Sequence, residues 1–169
     1  MNKTKIIAVN GLLTAMVVII LFLATTSPTT RFSFYVLSSF FISVVIIESG
    51  AKAGGLFYTV SSIISALILS NKLGVVPYVL FFGNYGLVSF YIDKLNKNSL
   101  KYILKLLYFN LAIFIVYFTF RNVFFSNIVP DIPLWMVYLL LQIVFIIYDY
   151  IYTLFIGYYN LKIRRYLRR

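Results

Sequence analysis

The chain reads as an all-α integral membrane protein with six transmembrane helices and both termini on the cytoplasmic side. Three observations predict this. First, 62% of its 169 residues are hydrophobic and only 11% are charged, whereas soluble domains average about 45–50% apolar and about 25% charged. Second, the apolar residues fall in long continuous runs, each near the ~20 residues a helix needs to cross a bilayer. A transmembrane β-barrel would show short alternating segments instead. Third, 12 of the 15 Lys and Arg residues lie on alternate connections. They are Lys3, Lys5, Lys52, Lys94, Lys97, Lys101, Lys105, Lys162, Arg164, Arg165, Arg168 and Arg169, while Arg31, Lys72 and Arg121 fall on the opposite set. Basic connections stay in the cytoplasm, so the termini are expected inside and the number of spans even.

Composition also removes whole classes of chemistry. A net charge of +11 would suggest nucleic acid in a soluble protein. Here topology accounts for it, with contact between the C-terminal cluster and anionic lipid as a generic addition. Zero Cys and zero His remove thiol chemistry, the usual zinc sites and every His-based triad. There is no phosphate-binding G-x-x-x-x-G-K-[ST] loop. The only acids are Glu48, Asp93, Asp131 and Asp149, and no two are spaced for acid–base catalysis. The expectation is therefore no enzyme, no metal and no cofactor.

The first span is expected over 6–24, a run too long for a signal-peptide core, with Ser27-Pro28 as its stop. The second covers 32–48 and ends at the turn Ser49-Gly50-Ala51-Lys52. The third, over 53–70, is rich in Gly, Ser and Ala. The fourth covers 75–92, with Pro77 in its first turn, where proline is tolerated. The polar stretch 93–101 is the main inner loop. The fifth span is expected over 102–120 and the segment 121–133 is the longest outer loop, broken by Pro130 and Pro133. The sixth runs over 134–160, with Trp135 at its outer end and Tyr158 and Tyr159 at its inner end, as in an aromatic belt. Together they make a single membrane domain, 1–169, in the cell membrane.

Asp149 falls about 15 residues into the sixth run, near mid-membrane, where a carboxylate costs about 2.5–3.5 kcal/mol on insertion scales. Trp135, Tyr138, Gln142, Phe145, Asp149 and Tyr152 follow three- and four-residue steps and so share one helix stripe. Asn84 lies near the middle of the fourth span and Asn110 near the middle of the fifth. Buried amides in lipid need partners. Two readings follow: structural glue joining Asn84, Asn110 and Gln142, or a small-molecule pocket lined by Asn84, Asn110, Tyr138, Gln142 and Asp149. With Arg31 and Arg121 at outer ends, Asp149 is expected to be protonated or hydrogen-bonded, and available to a ligand amine. In the first span Ala8, Gly11 and Ala15 make a flat face. Gly11 and Ala15 form a small-xxx-small pair that lets another helix approach, either within the protein or from a partner.

This layout resembles the substrate-binding S components of energy-coupling factor transporters. The resemblance rests on the basic start followed by Gly11 and Ala15, in place of that family's Ala-xxx-Ala pattern. It rests also on the small-residue opening of the third helix, "SGAKAGGLFYTVSSIISALI" (residues 49–68), and on the aromatic and polar second half between Asn84 and Tyr152. The resemblance implies uptake of a vitamin or other small micronutrient. Ala8, Gly11 and Ala15 would meet a membrane-embedded coupling subunit, driven in turn by cytoplasmic ATPases, and the second half would hold the substrate. The alternative is a structural subunit of a membrane assembly, such as the rod-shape machinery of bacterial cell walls, which would have no pocket.

Overall fold

A computed structural model of the chain describes residues 3–27, 29–124 and 133–164. The regular elements among them are all helical, and six helical segments are long and apolar enough to cross a membrane. That is the make-up of a multi-pass membrane protein. Pro28, most of the expected outer loop (125–132, with Pro130 and Asp131) and the last basic residues (165–169) lie outside the described residues. The chain divides into two compact units, residues 1–96 and 97–169.

In the first unit, α1 (Lys3–Thr26), α2 (Arg31–Ser49) and α3 (Ala51–Ile68) pack with a composite fourth span. The apolar run of α1 ends where Thr25 and Thr26 turn their hydroxyls back onto the Phe22 carbonyl, at 2.8 and 3.0 Å. Hydroxyls that bond the preceding turn favour helix ends. The buried face of α2 recurs at three- and four-residue steps: Tyr35, Ser38, Ser39, Ile42, Ser43, Val45 and Ile46. This helix touches α1, α3 and the fourth span. Its serines are small enough for close helix approach. Ser38 and Ser39 bond the Tyr35 and Val36 carbonyls at 2.7 and 2.6 Å, so they bury without an unmet donor.

One residue, Gly50, joins α2 to α3. Its φ of 89° is the single positive φ among the described residues, a conformation only glycine adopts freely. A turn later, a Cβ on Gly54 would run into the Ile46 side chain, so glycine there lets the two helices lie close. Lys72 then folds back to donate to the Ala66 and Leu67 carbonyls at the end of α3. This cation on the minority side of the charge distribution thus caps a helix C-terminus, where positive charge is favourable.

The fourth span, Lys72–Ile92, is not a plain helix. A 3-10 turn (Lys72–Val75) leads through Pro77 into a π-turn (Tyr78–Phe82) and then α4 (Gly83–Ile92). Wide turns tend to form where side chains enter the backbone ladder. Tyr58 donates to the Val79 carbonyl at 2.7 Å, and the Tyr78 hydroxyl meets the Ser61 hydroxyl at 2.7 Å. Tyr35 donates to the Gly74 carbonyl and stacks on Phe82 at 5.5 Å. Near the end of the span the Lys94 ammonium lies 4.3 Å from the Phe90 ring centre, a cation–π contact.

The second unit is built on α5 (Asn98–Phe124) and α6 (Leu134–Tyr158), the latter closing in a π-turn (Tyr159–Ile163). α5 begins before the expected 102, and so takes in Lys101, and it extends past 120. α6 starts after Pro133, whose extended backbone (ψ 137°) suits the residue preceding a first turn.

Candidate functional site

Within the second unit, α5 and α6 meet through a ladder of side chains. The residue number rises along α5 as it falls along α6, so the two helices are antiparallel. Lys105 pairs with Asp149, Phe109 with Phe145, and Asn110 with Gln142 and Tyr138.

The first rung corrects the sequence reading of Asp149. Its carboxylate accepts a hydrogen bond from the Lys105 ammonium at 3.0 Å, with both side chains buried (6% and 9% exposed). A cation of the protein itself thus stands beside the carboxylate that the sequence left open to a ligand amine. Lys105 lies seven residues into α5, about 10 Å from its start. The pairing explains why a buried charge is tolerated there. Thr153 adds a bond to the Asp149 carbonyl at 2.9 Å. With Lys105 set aside, 11 of the other 14 cations remain on one set of connections, so the asymmetry stands.

The second rung is a pair of parallel rings, Phe109 and Phe145, with centres 4.4 Å apart and planes at 8°. In register it lies between the ion pair and the third rung. In that third rung the Asn110 amide nitrogen donates to the Leu106 carbonyl at 2.8 Å, which leaves its oxygen as the acceptor. Tyr138 donates to that oxygen at 2.8 Å and the Gln142 amide nitrogen at 2.9 Å. The Gln142 oxygen is thereby turned away, buried and without a hydrogen-bond partner among the described residues.

Four of the five expected site residues thus sit on one helix pair: Tyr138 and Gln142 both bonded to Asn110, and Asp149 two turns along α6 from Gln142. Asn84 belongs to the first unit, half-buried on α4 beside the fully buried Tyr85. The three expected partner-contact residues, Ala8, Gly11 and Ala15, are exposed on α1. A Cβ added at Gly11 meets nothing within 4 Å. Lys105 was not singled out from the sequence, because three other lysines around the same loop made it look like a fourth topological charge. The tyrosines that pin the fourth span were missed because a chain with 15 Tyr offers too many candidates. No group of His, Cys, Asp and Glu able to hold a metal occurs among the described residues.

Comparisons with protein-family profiles, with curated proteins and with solved structures found no match to this chain.

Proposed function

We propose that this protein is a membrane-embedded substrate-binding subunit for uptake of a vitamin or other small micronutrient. In this reading it works with a membrane-embedded coupling subunit and, through that, with cytoplasmic ATPases, in the manner of the S components it resembles. The protein itself performs no catalysis and lies in the cell membrane with both termini inside. The observation that carries the reading is the amide–phenol cluster of Asn110, Tyr138 and Gln142. It puts a few polar side chains on two otherwise apolar helices, and small-molecule sites use a few placed polar groups in apolar surroundings. A second support is the small-residue face of Ala8, Gly11 and Ala15, which is exposed on α1 and flat enough for another helix to lie against.

The two supports belong to different tasks, and one substitution separates them. Gly11→Leu places a bulky side chain on the flat face, where an added Cβ meets nothing within 4 Å. It is expected to leave the melting temperature and the bound solute unchanged while abolishing cellular uptake, because a wedge there would hold a coupling helix away. Loss of uptake together with loss of folding would assign the face to internal packing. Unchanged uptake would remove α1 from the coupling role and favour a structural subunit.

A further inference from the structure

The polarity of the hydrogen bonds around Asn110 says more about the ligand. We propose that the α5–α6 cluster takes a neutral small molecule through an N–H or O–H donor, received by the Gln142 side-chain oxygen. The proposal rests on the binding reading above and specifies its substrate class. Asn110 can orient only one way, since its amide nitrogen is committed to the Leu106 carbonyl. Its oxygen must then accept, so Tyr138 and the Gln142 amide nitrogen donate. This sequence of bonds leaves a buried acceptor, the Gln142 oxygen, with no donor. A buried polar atom without a partner costs free energy that an incoming donor recovers. An acceptor on the ligand would recover nothing there.

Charge sets the second half of the specification. From 106 to 120 on α5 and from 134 to 148 on α6 the sequence contains no charged residue. The nearest charges along the ladder are Lys105 and Asp149, which neutralise each other. The Phe109–Phe145 stack lies between that pair and the amide cluster in register. A cation or anion at Gln142 would shed its hydration with no counter-ion in these stretches of α5 and α6 to replace it, which is unfavourable in a low-dielectric site. A neutral donor meets no such cost. The acceptor atom is also sealed while Tyr138 beside it is 45% exposed. A small donor reaches the oxygen once the half-exposed Tyr138 ring moves aside, a shift too small to admit the broad face of a helix.

Matched pairs of small probes test this in the detergent-solubilised full chain. Phenol is compared with anisole, and 2-pyrrolidinone with N-methylpyrrolidinone; in each pair methylation removes the donor and adds one methyl group, whose apolar contribution favours the methylated member and so works against the expected result. The single Trp, Trp135, lies one turn from Tyr138 and reports binding by its emission, against detergent alone. The donor-bearing member of each pair should bind about three- to tenfold more tightly, the range one neutral hydrogen bond gives. The preference should vanish in Gln142→Met and persist in Tyr150→Phe, an exposed tyrosine of the same helix outside the cluster. Equal binding within both pairs by the wild-type protein overturns the donor specification whether or not Gln142→Met folds. So does a preference that survives Gln142→Met. A bound solute found in the purified protein would still uphold the broader binding reading in either case. Absence of both probe binding and any solute would end both.

Discussion

Replacing Lys105 with Met is expected to destabilise the α5–α6 pair by about 3–5 kcal/mol, because it leaves the Asp149 carboxylate buried without its cation. The two side chains are almost wholly enclosed and 3.0 Å apart, so water cannot screen the remaining charge. Asp149→Leu alone should cost a similar amount by stranding the ammonium. The double substitution Lys105→Met with Asp149→Leu should recover most of the loss, since a buried ion pair replaced by apolar groups of similar size is often neutral or stabilising. Denaturant unfolding of the detergent-solubilised protein measures all three. A double variant as unstable as the sum of the singles would mean that the two residues act independently. The pair would then not be the bond between the helices.

Single cysteines at Ser99 and Thr29 should give an all-or-none difference in surface labelling. The native chain has no Cys, so each variant reports one position. Ser99 lies in the first turn of α5 beside Lys97 and Lys101, and Thr29 precedes α2; both are exposed. With the basic connections inside, an impermeant thiol reagent applied to intact cells should label Thr29→Cys and leave Ser99→Cys unmodified until the membrane is opened. The reassignment of Lys105 does not weaken this expectation, because the other loop lysines carry it. Equal labelling at both positions would contradict the six-span layout with both termini inside.

The helices were legible from the sequence because lipid makes a simple demand: a run of about 20 apolar residues. The sharing of one α6 face by Gln142 and Asp149 was legible too, since residues seven apart lie two turns along the same side. The contact of Asn110 with Gln142 was one of the two readings open for those amides. The partner of Asp149 was not legible. Lys105 is a loop-flanking lysine by its neighbours, and only the antiparallel register of α5 against α6 brings it to Asp149. Nor was the π-turn at Tyr78–Phe82 legible, as nothing local requires it. It coincides with hydroxyls from Tyr58 and Ser61 on another helix, and such contacts have no signature in the local sequence. Ala8, Gly11 and Ala15 could be grouped by spacing, but whether they faced inward or outward depended on which side of α1 the other helices took.

The most direct measurement is native mass spectrometry of the chain purified in mild detergent, with the released solute then identified. The account predicts one small, neutral, donor-bearing molecule per chain, and its loss from Asn110→Leu, which removes the amide that orients Tyr138 and Gln142. A protein that carries no bound mass beyond lipid and detergent, in wild type and variant alike, would contradict a small-molecule site on α5 and α6.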